Sequence, residues 1–134
     1  MQSKITELLH DDLVCILSFV HDFGYFGLSY DREAWKELND DLKADDPCFE
    51  DKLADMLLAG KAITVIDFEA AGELYSPYGL LDEDGNGIYG VTIEDFFEWG
   101  DAHLAYEIIE GDGDAYTAHE FIQKVLFRGE MIYG

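Results

Sequence analysis

The sequence predicts a single α+β domain, mostly helical, with about five helices and a small sheet of two or three strands. Apolar residues recur at helical spacing in several segments, and a short β-branched run lies near the middle of the chain. A chain of 134 residues with 49% hydrophobic content is long enough for one core. We therefore expect residues 1–134 to form one compact acidic domain.

The first predicted helix spans residues 4–22, with Ser3 as its N-cap. Its apolar stripe is wide, which is typical of a helix in the centre of a domain. We expect it to share one core with the apolar stripes of the later helices. The predicted core residues are Leu9, Leu13, Ile16, Leu17, Val20, Phe96, Phe97, Leu104, Phe121 and Val125.

Two more helices are predicted before residue 60. One begins at Ser29 or Asp31 and runs to about residue 43. The other takes Asp46 as its N-cap and Pro47 into its first turn, and Gly60 ends it. Their buried stripes are predicted to contain Trp35, Leu38, Leu42, Phe49, Leu53, Met56 and Leu57.

Strand signals appear in the second half of the chain. The β-branched run at residues 62–66 predicts a strand, and residues 88–91 are expected to pair with it. Residues 68–75 fit a helix that Pro77 would end, and residues 131–133 fit a last strand.

Two capping boxes predict the remaining helices. Thr92 to Asp95 would start a helix over residues 93–109, which places Glu94, Glu98 and Asp101 on one face. Thr117 to Glu120 would start a helix over residues 118–128, and Gly129 would end it.

The charge of the chain excludes several classes of partner. Its 30 acidic and 8 basic residues give a net charge of −22, so nucleic acid and anionic membranes would be repelled. The N-terminus has no signal-peptide features, and no apolar run approaches about 18 residues. Two cysteines without a metal or redox motif indicate a reducing compartment. We expect a cytoplasmic protein without direct membrane or nucleic-acid contact.

Residues 62–123 contain 15 Asp and Glu but no Lys or Arg. The same stretch is rich in aromatic and aliphatic residues, which is typical of a folded segment and not of a solvated tail. Like charges at this density oppose compaction. A basic partner, a bound cation and plain solubility are the three explanations, and only the last requires no function.

The loop Asp82-Glu83-Asp84-Gly85-Asn86-Gly87 resembles the opening of an EF-hand calcium loop. It has oxygen ligands at alternate positions and a glycine where that loop turns sharply. The family's apolar eighth residue and bidentate acid at position twelve are displaced by two residues, to Val91 and Asp95. The resemblance implies Ca²⁺ as a weak cofactor, whereas a simple Asp/Asn/Gly turn explains the loop without a metal. The candidate ligands are Asp82, Asp84, Asn86 and Asp95.

Carboxylates one helical turn apart are about 5–6 Å apart, a spacing comparable to that of phosphates along a nucleic-acid strand. Proteins that imitate DNA in this way inhibit restriction enzymes and CRISPR effectors, and the analogy is with that functional class. Our leading hypothesis is a non-enzymatic acidic protein that docks on a basic, nucleic-acid-binding surface of a partner. The predicted contact residues are Asp82, Glu83, Asp84, Glu94, Asp95, Glu98, Asp101, Glu110, Asp112 and Asp114. Tyr89, Trp99 and Tyr116 are candidate aromatic anchors.

No catalytic motif is apparent in the sequence. The four histidines lack metal-ligand spacing and are predicted to be surface residues. No serine or cysteine stands in a nucleophile pattern. Paired carboxylates such as Glu94 and Glu98 arise by chance among 30 acids, so we predict no enzymatic activity.

Overall fold

The computed structural model describes residues 4–133, which contain six α-helices and four β-strands. The predicted α+β class is confirmed, although two short strands and one helix were not expected. The helices are α1 (His10–Phe23), α2 (Arg32–Lys36), α3 (Phe49–Leu58), α4 (Ile93–Trp99), α5 (Ala102–Ile109) and α6 (Ala115–Leu126). The strands are β1 (Phe26–Ser29), β2 (Ile63–Asp67), β3 (Leu80–Leu81) and β4 (Gly87–Val91).

The four strands form one antiparallel sheet in the order β1-β2-β4-β3. The predicted pairing of the two central strands is confirmed, with Ile63 opposite Val91 and Val65 opposite Tyr89. These four side chains are buried. The two edge strands were missed because they have only four and two residues, too few for a period-2 pattern to be recognised.

Helix α1 occupies the centre of the domain, as predicted. It packs against α3, α5, α6 and strand β1. Seven of the ten predicted core residues are buried, and Phe97 and Leu104 are partly buried against the same core.

Leu9 is the exception, because its side chain is 58% exposed. Helix α1 begins at His10 and not at residue 4, and the Asp12 carboxylate accepts a hydrogen bond from the Leu9 N–H at 2.8 Å. Leu9 thus precedes the helix and lies off its apolar stripe. Ser3, the predicted N-cap, lies outside the described residues.

Helix α2 is much shorter than predicted. Asp31 caps it through hydrogen bonds from the N–H groups of Glu33 and Ala34, but it ends at Lys36. A 3₁₀ turn at Asp40–Leu42 follows, and Leu42 is 50% exposed instead of buried. The consecutive polar residues from Asn39 to Asp41 favour a turn over a continued helix.

Helix α3 begins three residues after its predicted N-cap. Asp46 has a positive φ of 46°, which is not the extended conformation of an N-cap. Cys48 takes that position, and its N–H donates to Asp51 at 3.0 Å. Gly60 ends the helix as predicted, in the left-handed conformation and with its N–H bonded to Leu57 O.

The single helix predicted over residues 93–109 is two helices, α4 and α5. Gly100 has extended dihedral angles, and Asp101 caps α5. A side chain at Gly100 would collide with the carbonyl oxygen of Phe96, and its Cβ would lie 2.9 Å from the ring of Phe121. The chain therefore turns where no larger residue fits.

Three further predictions were wrong. Helix α6 begins at Ala115, with Asp114 as its N-cap, so Thr117 lies inside the first turn. Residues 68–75 form turns and no helix. Residues 131–133 form no strand, because the Gln123 side chain accepts hydrogen bonds from their backbone.

Candidate partner-binding surface

The loop between β3 and β4 is closed by the side chain of Asp82. Its Oδ1 accepts hydrogen bonds from the N–H groups of Asp84 and Asn86, both at 2.9 Å. Its Oδ2 accepts a third from the Asn86 amide at 3.2 Å. The backbone hydrogen bond from Asn86 contributes most to lowering the pKa of Asp82. Glu83 and Asp84 extend from this turn into solvent.

The capping box predicted at the start of α4 is confirmed. Asp95 Oδ2 accepts from the Thr92 N–H at 2.9 Å, and Thr92 Oγ1 accepts from the Asp95 N–H at 3.4 Å. Glu94 and Glu98 are exposed one turn apart on the same helix. This pair retains the spacing that the mimicry hypothesis requires.

Asp101 does not continue the row formed by Glu94 and Glu98, because the helix ends at Trp99. Its Oδ1 accepts from the Leu104 N–H at 3.1 Å, and its Oδ2 accepts from Lys124 Nζ at 3.0 Å. Burial raises the pKa of Asp101, but these two donors together lower it below its usual value. Asp101 is therefore a structural carboxylate with its own counter-ion.

The second acidic loop joins α5 to α6. Asp114 Oδ1 accepts from the Thr117 N–H at 3.0 Å, and this bond is the main cause of the lowered pKa of Asp114. The N–H groups of Asp112 and Gly113 both donate to Glu107 O, which holds the loop against the end of α5. Glu110 and Asp112 are exposed.

The ten predicted contact residues thus divide into two groups. Four carboxylates bond the backbone of their own loop or helix: Asp82, Asp95, Asp101 and Asp114. The other six side chains are exposed and, within residues 4–133, form no hydrogen bond or ion pair. We call these six the acidic surface: Glu83, Asp84, Glu94, Glu98, Glu110 and Asp112.

The members of the acidic surface lie in three places along the fold. The loop with Glu83 precedes β4 and the helix with Glu94 follows it. The extended strand from Gly87 to Val91 is about 13 Å long, and it separates this loop from the start of this helix. The third place is the loop between α5 and α6.

Residues 62–123 contain no Lys or Arg, but in the fold two cations from outside this stretch lie beside it. Lys124 reaches Asp101, as described above. Arg128 lies over the ring of Tyr78 at 4.0 Å and within 5.3 Å of the Trp99 ring centroid. Arg128 and Asp95 also line the same small cavity of about 40 Å³. Both cations come from the C-terminal end of the chain, just after residue 123.

The three candidate aromatic anchors differ in exposure. Tyr89 is 3% exposed, on the inner face of the sheet, where burial raises its pKa to about 12. Trp99 is half-buried beside Arg128. Tyr116 is 46% exposed at the start of α6 and remains available to a partner.

A buried polar chain was missed at the sequence level. His119, predicted at the surface, is fully buried, and its ring stacks on Phe23 at 4.3 Å. Its Nε2 lies 3.0 Å from the amide nitrogen of Gln123, which also donates to Tyr133 O. The Tyr133 hydroxyl in turn donates to Asp67. The signal available in the sequence was the position of His119 and Gln123 one turn apart on the apolar side of α6.

Neither the family models nor the curated proteins and solved structures compared with this chain give a match. Within residues 4–133, no three His, Cys, Asp or Glu side chains are grouped so that they would hold a metal ion. No helix in that part of the chain has both the length and the apolar composition of a membrane span.

Proposed function

We propose that this chain is a non-enzymatic acidic protein that binds a basic, nucleic-acid-binding surface of a partner protein, as a DNA-mimic inhibitor of the anti-restriction or anti-CRISPR type. The observation that carries the proposal is the acidic surface itself. Its six exposed carboxylates have no internal counter-ion among the described residues, in a chain of net charge −22. Such charges raise the rate at which a basic cleft is captured.

The division of the ten acids narrows the predicted contact set. A carboxylate that caps a helix or closes a turn has part of its charge compensated by N–H groups. The free charges of Glu83, Asp84, Glu94 and Glu98 are thus better placed to replace phosphates than those of Asp95 or Asp101. For the same reason we expect the acidic surface, which also contains Glu110 and Asp112, to dominate recognition.

Apolar side chains next to the acidic loop supply the second component of an interface. Leu80 is 74% exposed and Leu81 is 44% exposed on the edge strand β3, directly before Asp82. Tyr78 is 58% exposed and carries Arg128 over its ring. A few buried apolar anchors surrounded by polar contacts are the usual composition of a protein interface. Both free cysteines are compatible with the cytoplasmic location that we expect.

The test begins with capture of partners from lysate at low and at high salt, followed by a mobility-shift assay with the captured nucleic-acid-binding protein. Wild type should displace the nucleic acid, and its affinity should fall with salt, since screening acts over about 8 Å at physiological ionic strength. The Glu94→Lys/Glu98→Lys variant should lose most of this competition.

The matched control is Glu7→Lys/Asp22→Lys, which changes the net charge equally at two exposed positions outside residues 62–123. It should retain competition. If the partner binds nucleic acid undisturbed by wild type, the mimicry proposal fails. If both double variants lose competition equally, net charge is responsible and the acidic surface is not a specific site.

Calcium binding by loop 82–95 is the alternative function. The oxygens of Asp82 already accept three N–H groups, and β4 carries Asp95 away from the loop that it would have to close. We expect calorimetry with Ca²⁺ to give an affinity no better than millimolar. Micromolar affinity that is lost in Asp82→Ala or Asp84→Ala would place calcium binding ahead of partner binding.

A further inference from the structure

A cleft formed by residues from the first half of the sequence is positively charged, in contrast to the acidic surface. It has a volume of about 430 Å³ and lies between the start of α2 and the start of α3. Its lining consists of three aromatic and three cationic side chains: Tyr30, Arg32, Trp35, Lys36, Phe49 and Lys52. The cleft is thus lined by three of the eight Lys and Arg residues of the chain and by none of its 30 acids.

The local structure explains why these side chains meet. Asp31 caps α2, which places Arg32, Trp35 and Lys36 within little more than one turn. Phe49 and Lys52 lie three residues apart in the first turn of α3. The two short helical segments therefore each supply an aromatic and a cationic side chain.

The Trp35 indole is held in a fixed position. Its Nε1 donates to Oδ2 of the buried Asp55 at 3.1 Å. The ammonium groups of Lys43 and Lys52 lie 4.6 and 4.9 Å from its ring centroid. Lys43 does not line the cleft, and its ammonium group also donates to Lys36 O.

Two of the cleft cations are free to meet a ligand. Within the described residues, neither Arg32 nor Lys52 has a carboxylate within 4.0 Å, whereas Lys36 pairs with Glu33 at 3.4 Å. Both side chains of the Lys36–Glu33 pair are exposed, so the pair adds little to the stability of the fold. In a chain of net charge −22, Arg32 and Lys52 thus place positive charge next to aromatic rings, and neither forms an ion pair among the described residues.

We propose that this cleft binds a small planar anion of the nucleoside-phosphate class. Its volume falls in the range of ligand pockets, about 300–1,000 Å³. Tyr30 and Phe49, whose ring centroids are 5.8 Å apart, supply aromatic surface for the base. Arg32 and Lys52 supply donors for the phosphate. A long nucleic-acid strand would be repelled by the rest of the protein, so a single nucleotide is the expected ligand.

Calorimetry with adenosine monophosphate tests this proposal on the intact chain. Adenosine monophosphate should bind, and adenosine and inorganic phosphate should each bind at least tenfold more weakly, because each contains only one of the two recognised groups. The affinity should fall as salt is raised. Arg32→Gln and Lys52→Gln should each weaken binding at least threefold, and Phe49→Leu should weaken adenosine monophosphate more than inorganic phosphate.

The control is Lys61→Gln, an exposed cation that does not line the cleft. It should bind like wild type, with circular dichroism used to confirm that every variant is folded. No binding of adenosine monophosphate at millimolar concentration overturns the proposal. Equal affinity for inorganic phosphate, an equal loss in Lys61→Gln, or a preference for a single-stranded oligonucleotide over the mononucleotide would each overturn it as well. None of these results bears on the acidic surface.

Discussion

The hydroxyl of Tyr133 donates a 2.6 Å hydrogen bond to Oδ2 of Asp67, 66 residues earlier in the chain. Asp67 ends β2 with only 1% of its surface exposed, and its Oδ1 accepts from the Glu69 N–H. Burial raises the pKa of Asp67, and the hydrogen bond from Tyr133 opposes that rise. Tyr133 is thus tied to the inner face of the sheet.

Replacing Tyr133→Phe should destabilise the fold by about 1–3 kcal/mol, because a buried carboxylate loses a hydrogen-bond donor. The loss should be largest near pH 7 and should shrink at acid pH, since a protonated Asp67 needs the donor less. Urea unfolding at both pH values measures it. Tyr106→Phe is the matched control at an exposed position and should change little; equal losses in the two variants would refute the role of this bond.

His119 makes stability depend on pH. Gln123 Oε1 accepts the N–H groups of Ile132 and Tyr133, so its amide nitrogen must face His119 Nε2. Nε2 therefore accepts and the folded ring is neutral, and burial lowers the pKa of His119. Because the unfolded chain takes up a proton near pH 6.5 and the folded chain does not, stability is lost as the pH falls through that value.

We expect His119→Phe to flatten the dependence of unfolding free energy on pH between pH 7.5 and 5.5. His21→Asn changes an exposed histidine that forms no ion pair among the described residues, and it should keep the slope of wild type. Urea unfolding across this range separates the two variants. If His119→Phe keeps the full slope, the group responsible lies elsewhere.

The contact between Asp101 and Lys124 joins residues 62–123 to the first cation that follows them in the sequence. Asp101→Ala should cost about 1–2 kcal/mol, from a lost N-cap and a lost ion pair. A double-mutant cycle with Lys124→Met should give a coupling energy of about 0.2–1 kcal/mol. Asp112→Ala, in the acidic surface, should leave stability unchanged. A coupling energy of zero would show that Lys124 does not compensate Asp101.

The break between α4 and α5 depends on Gly100. Gly100→Ala should destabilise the fold by about 1–3 kcal/mol, since the new methyl group meets the Phe96 carbonyl and the Phe121 ring. Gly90→Ala is the control, because no atom lies within 4 Å of a Cβ built there. Thermal unfolding of the two variants is the measurement, and an equally mild effect at both positions would contradict this account of the break.

Features that depend on a few neighbouring residues were predicted from the sequence. The capping box of Thr92 and Asp95 and the helix end at Gly60 are local features of this kind, and both are present. The pairing of residues 62–66 with 88–91 is a longer-range prediction that is also confirmed. The apolar stripe of α1 was also sufficient to predict its central position. Caps, positive φ angles and hydrophobic periodicity are local properties, so the sequence expresses them directly.

The tertiary structure alone decided which acids are free and which cation pairs with Asp101. Asp101 fitted a helical row with Glu94 and Glu98, but the chain leaves the helix at Gly100, and Asp101 instead caps α5 and pairs with Lys124. The burial of His119 likewise follows from packing against α1 and β1. Such contacts join residues far apart in sequence and depend on where whole elements pack. No local sequence pattern indicates such contacts. The sequence therefore predicted the charge of the candidate surface, but not which of its carboxylates are structural and which are free.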